Sequence, residues 1–181
     1  MHHEFQTDNL VESFVGVWKR VTTEPRSFFE DMPVSGGLQN PLVFLLLCLC
    51  IDAVGFLLIG PRGFTPLNVI IVGVVKSFVY AGLLMLIARQ LFAGVGDYEA
   101  TYRVVAYASA PTALAWIPLV GPLALLYGLF LVIVGLERVH TFDTVRSALS
   151  LLLAAIAVGA LLTVLGGGAW AWLPLRSASC C

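Results

Sequence analysis

Asp52 and Lys76 are the two charges that fall inside long apolar runs of this 181-residue chain. A charge at the middle of a bilayer costs at least about 2.5–3.5 kcal/mol, so it must be paired, hydrated or used. Depth decides whether the two can meet. Asp52 lies eight residues before Gly60, where the first apolar run ends, and Lys76 lies nine residues after Leu67, where the second begins. At about 1.5 Å per residue both sit about 12–14 Å below the same membrane face. Neighbouring antiparallel helices would then bring them together as an intramembrane ion pair. Such a pair could relay protons or ions, or it could neutralise itself and fix the register of two helices. One pair with no further acids makes a poor pathway, which favours register. A lysine that snorkels to the interface would weaken either role.

The remaining candidates are thinner. Gly94-Val95-Gly96-Asp97-Tyr98-Glu99 contains a Gly-x-Gly but lacks the third glycine and the preceding strand of a dinucleotide site. It reads as a turn, with Asp97 capping the next helix. His140 sits near Glu137, Arg138 and Asp143, without the nucleophile and water-excluding pocket that catalysis needs. Cys48 and Cys50 lie within an apolar run and Cys180 and Cys181 at the chain end, in neither zinc nor disulfide-framework spacing. The sequence therefore predicts no catalytic residue, no metal and no cofactor. With a net charge of −1 it also predicts no nucleic-acid partner.

These residues need helices in a bilayer to position them. The chain is 59% hydrophobic and 12% charged, against about 45–50% and about 25% in soluble domains. Five segments approach the roughly 20 apolar residues that a crossing needs. They run over about 41–60, 67–92, 102–118, 119–136 and 145–165. Only the Pro118–Pro122 corner divides the third from the fourth, and Pro111 predicts a kink in the third. Small residues, Ala106, Ser109 and Ala110 in the third segment and Ala155 with Gly159 in the fifth, would let helices pack closely. The fold expected is thus all-α, a polytopic membrane bundle spanning 41–173, with a cytoplasmic segment over 1–40 and a short external tail over 174–181.

Charge sets the direction. Lys19, Arg20, Arg26, Arg89, Arg103, Arg138 and Arg146 fall on one side, and Arg62 and Arg176 on the other. The positive-inside rule places the N-terminus in the cytoplasm and the C-terminus outside. Trp116, Trp170 and Trp172 then fall near the outer interface and Trp18 near the inner one. Before the first span, Leu10, Val11, Phe14, Val17, Trp18 and Val21 recur at helical spacing. They predict an amphipathic helix lying in the cytoplasmic interface, in the first place a structural lid over the bundle's inner face and alternatively a sensor of membrane curvature or a partner-binding element. A short second helix, capped by Thr23 with Pro25 in its first turn, would carry Phe28 and Phe29 to the same interface.

Several stretches together resemble the bacterial branch of the Yip domain family, membrane proteins named for interacting with Ypt/Rab GTPases. They are Pro25-Arg26-Ser27-Phe28-Phe29 with Gly36-Gly37, then Gly96-Asp97-Tyr98 leading to Tyr107-Ala108-Ser109-Ala110-Pro111. Trp116-Ile117-Pro118 with Gly121, Tyr127-Gly128 and Gly135 to His140 follow. The resemblance covers roughly residues 11–165. Tyr107, Pro111, Trp116, Pro118 and Gly121 carry its most specific part, with His140 beyond. It implies five crossings with a cytosolic N-terminus, and no catalytic residues. Eukaryotic members act in trafficking through partners, but a bacterium has no Rab cycle. The expected function is a non-enzymatic protein of a bacterial inner membrane. It would act through lipid, a second copy of itself or another membrane protein. The alternative is a small transporter or channel subunit built on Asp52 and Lys76.

Overall fold

A computed structural model describes residues 10–59 and 65–170, with side chains through Ala160. Trp172, Cys180, Cys181, Arg62 and Arg176 lie outside the described residues, as does the Trp170 side chain. Among the described residues the elements are α1 (Leu10–Thr23), α2 (Pro25–Asp31), α3 (Gln39–Ile59), α4 (Pro66–Phe92), α5 (Tyr98–Ala108), a 3-10 turn (Ala110–Leu114), α6 (Val120–His140) and α7 (Thr144–Trp170). No strand occurs among them.

The long helices follow from composition. A helix of apolar residues satisfies its own backbone, which hydrocarbon requires. α3, α4 and α6 are each long and apolar enough to cross a membrane. At 21 residues, α3 and α6 are each about 31 Å long, close to the hydrocarbon thickness. Outward-facing Leu58, Val72, Leu126 and Leu152 are all more than half exposed, which only a lipid environment explains.

The third crossing is not one kinked helix. α5 starts at Tyr98, directly after Asp97, and stops at Ala108. Pro111 has no N–H to give the Tyr107 carbonyl, so the ladder cannot continue. The chain tightens into 3-10 bonding instead, with Thr112 N–H donating to Ser109 O at 2.8 Å and Ala115 N–H to Thr112 O at 2.9 Å. The Ser109 and Thr112 hydroxyls bond back to Ala106 O and Ser109 O, both at 2.6 Å. This broken segment runs antiparallel along α6. Gly135 faces Val104, Gly128 faces the Ala108 carbonyl and Gly121 faces the Ala115 carbonyl. It therefore follows α6 over about 21 Å of its length.

The N-terminal helices are part of the same core. Val17, Val21, Phe28, Phe29 and Met32 are buried together with Phe44, Tyr107 and Leu131. α1 packs against the bundle at the level of the break. Phe14 lies 5.3 Å from Phe44, ring to ring, and the Tyr127 hydroxyl donates to Thr22 O at 2.8 Å. Of the stripe expected to face inward, Phe14, Val17, Trp18 and Val21 do, while Leu10 and Val11 turn out. α2 then runs along α6. Its N-cap is Glu24, one residue past the expected Thr23, with Pro25 at the first helical position. Ala155 and Gly159 depart from expectation: both are exposed on α7, and nothing lies within 4 Å of where a Gly159 Cβ would be.

Candidate functional site

The polar residues that could do chemistry form three internal clusters. The first surrounds Arg103. The sequence counts Arg103 among the charges of the cytoplasmic side, but it lies inside α5, fully buried. One helical turn before it stands Glu99, whose carboxylate is 3.4 Å from Arg103 Nε. The guanidinium also donates to Gly37 O at 2.8 Å, and Gly37 N–H donates to Glu99 at 2.7 Å. Gly36 and Gly37 adopt φ of 133° and 88°, a region that side chains disfavour. A Cβ on Gly36 would stand 3.0 Å from Arg103 Nη2. The glycine pair thus lets the chain ahead of α3 fold over a buried ion pair. Glu99 and Arg103 were missed as a site by sequence reasoning, although their four-residue spacing marks an ion pair on one helix face.

The second cluster surrounds His140. Gly96 N–H donates to His140 Nδ1 at 3.2 Å. His140 Nε2 lies 3.0 Å from the Thr101 hydroxyl, which donates to Asp97 O at 2.9 Å. These directions require a neutral imidazole with its hydrogen on Nε2. His140 is 1% exposed and a Cβ on Gly94 would fall 2.5 Å from its Nδ1. The Gly-x-Gly loop is therefore a close seat for His140. Asp97 does begin α5, but its side chain makes no cap and faces Arg89 at 3.7 Å.

The third cluster repairs the break. The Trp18 indole N–H donates to Ala110 O at 2.8 Å. The expected interfacial anchor is therefore a half-buried cap on a carbonyl freed by the 3-10 turn. On the far side the Asp52 carboxyl comes near the Trp116 backbone amide. Asp52 Oδ1 is buried and unpartnered among the described residues. Trp116 lies against Gly55, where a Cβ would overlap the indole ring, and its own Nε1–H donates to Ala113 O at 2.9 Å.

Asp52 and Lys76 do not meet. Gly73 packs on Leu49, 2.7 Å from a side-chain carbon to where a Gly73 Cβ would be. That register puts Asp52 opposite about residue 70 and Lys76 opposite about residue 46, roughly 9 Å apart along the bundle. Lys76 is exposed on the outer face of α4, whereas Asp52 is 7% exposed. The ion pair expected from end-counting is replaced by a backbone contact.

Phe28 and Phe29, expected at the membrane interface, are buried at 2% and 0% exposure. Docking of α2 on α6 turns them inward, and Phe28 meets the Tyr107 ring at 5.2 Å. Tyr107 also meets Phe44 at 5.2 Å. Pro111 is buried at the break, Pro118 is exposed in the corner, and Gly121 admits the Ala115 carbonyl. Tyr107, Pro111, Trp116, Pro118, Gly121 and His140 thus string along the α5–α6 hairpin and line no common pocket. Among the described residues no group of three metal-ligating side chains converges.

A bundle of long apolar helices with its polar groups turned inward defines an integral membrane protein. The Yip1 domain model matches residues 19–166, and the chain belongs to that family. No curated protein and no solved structure matches it.

Proposed function

We propose that this chain is a non-enzymatic protein of a bacterial inner membrane that acts by contact with lipid and with other membrane proteins or copies of itself. One observation carries the reading. The chemistry-bearing side chains Arg103 and His140 are each committed to holding backbone in place, and Asp52 is buried inside the bundle. What the molecule offers outward is an apolar surface and the exposed face of α1. On α1, Val11 is 79% and Val15 55% exposed, facing away from the bundle where the break is sealed. A helix whose exposed face sets Val11 and Val15 beside Glu12 and Lys19 is amphipathic, and such a helix inserts between lipids and favours curved or loosely packed bilayers.

Direction follows from charge as before, with one change. Arg103 no longer counts, leaving Lys19, Arg20, Arg26, Arg89, Arg138 and Arg146 to hold the N-terminal side in the cytoplasm.

The transporter alternative would need Asp52 to carry a proton or an ion. Reconstituted into liposomes bearing a pH gradient, the full chain is expected to leave proton leak at the lipid background, and Asp52→Asn to leave it there too. Proton flux above background in the wild type that disappears in a folded Asp52→Asn variant would replace this reading with transport.

A further inference from the structure

Four charges, two of each sign, line one groove between α2 and the last turns of α6. Arg26 and Glu30 come from α2, and Glu137 and Arg138 from α6. Phe29 and Val134, both buried, form its apolar floor. The groove encloses about 210 Å³, room for one lipid headgroup and too little for a folded partner.

Opposite charges this close usually neutralise one another. On the same side of the molecule Arg20 pairs with Asp31 and Arg89 with Asp97. In the groove no ion pair forms among the four, or to any other described residue. Arg26 and Glu30 stand four apart on α2, but with the base N-terminal, which is the weaker order for a helical pair. The groove therefore presents two free cations and two free carboxylates over an apolar floor. Glu137 and Arg138 lie in the last turn of α6, so the groove opens where the span meets the headgroup layer.

We infer that this groove binds the headgroup of a phosphoethanolamine-type lipid. The arginines take the phosphate, for which the planar guanidinium fork is suited. Glu30 and Glu137 take the primary ammonium, whose three N–H groups all donate. Phe29 and Val134 meet the apolar stem below. A choline headgroup has no N–H to give the carboxylates, and a glycerol headgroup has no cation. Choline would give the two glutamates a charge but no hydrogen bond, and glycerol would give them no charge at all. The assignment deepens the lipid-contact reading and rests on it, but lipid selectivity and proton leak are measured separately, so failure of one leaves the other standing.

The test is native mass spectrometry of the delipidated full chain with an equimolar mixture of phosphatidylethanolamine, phosphatidylcholine and phosphatidylglycerol of matched acyl chains. Retention of the ethanolamine lipid should exceed that of both others by about tenfold, the scale of one charge-assisted hydrogen bond. Glu30→Gln with Glu137→Gln should erase the preference over choline while leaving total lipid binding. Arg26→Gln with Arg138→Gln should weaken all three. Equal retention of the three lipids by the wild type would overturn the assignment. So would a preference that survives both double variants, or displacement of the lipid by an equal concentration of soluble O-phosphoethanolamine, which would mark a site for a free zwitterion.

Discussion

Replacing Arg103 with methionine is expected to destabilise the bundle by about 3 kcal/mol, the low end for removing one partner of a buried ion pair. The low end applies because the Glu99 side chain keeps 34% exposure and can be partly rehydrated. For a chain of this size, 1 kcal/mol moves the melting midpoint by about 2–4 °C, so the loss should appear as about 6–12 °C in detergent. Methionine fills the space but leaves Gly37 O without its donor and Glu99 without its cation. Arg103→Lys separates charge from geometry. A lysine restores the positive charge but not a fork that serves Glu99 and Gly37 together. It should recover part of the midpoint and not all of it. An Arg103→Met protein melting at the wild-type temperature would mean that the buried ion pair does not hold the segment before α3.

The second large effect is expected at Gly55. A Cβ at this position overlaps the Trp116 ring, so Gly55→Ala must push the indole away. Overpacking costs about 1–3 kcal/mol. Moving Trp116 also disturbs its Nε1–H bond to Ala113 O, so a loss at the upper end of that range, about 3 kcal/mol, is expected. The compensating change is Trp116→Leu, which vacates the space the new methyl needs. The double variant should be more stable than Gly55→Ala alone, a coupling that a double-mutant cycle measures directly. Strict additivity of the two changes would remove the claim that Trp116 and Gly55 share one contact.

Both positions show what the sequence could and could not disclose. The long helices were legible because about 20 apolar residues in a row have few other destinations. The break at Pro111 was visible, but its form was not. Whether a freed carbonyl is capped depends on a donor 92 residues away, Trp18. Amphipathic periodicity gives α1 its face but not its use, because the same face suits a membrane surface and a lid packed on the bundle. Asp52 was singled out correctly as costly. Its partner was misassigned because counting from helix ends assumes that both helices end at one level, and the contact of Gly73 with Leu49 shows a different register. Arg103 counts among the cytoplasmic-side charges because the first turns of α5 are too polar to resemble a span, yet the chain ahead of α3 folds over it and buries it. The signature residues from Tyr107 to His140 were legible as a pattern and opaque as a mechanism, since each acts by fitting a neighbour that sequence alone does not identify.

The central claim is that the bundle's polar groups are structural and that its outward work is done by α1 against lipid. Partition of the reconstituted full chain between vesicles of small and large diameter measures this most directly. Wild type should enrich in the small vesicles, and Val11→Ser with Val15→Ser should abolish the enrichment while the melting midpoint stays within about 2 °C, as expected for exposed positions. Equal partition of the wild type between the two sizes, or enrichment unchanged in the double variant, would contradict the account.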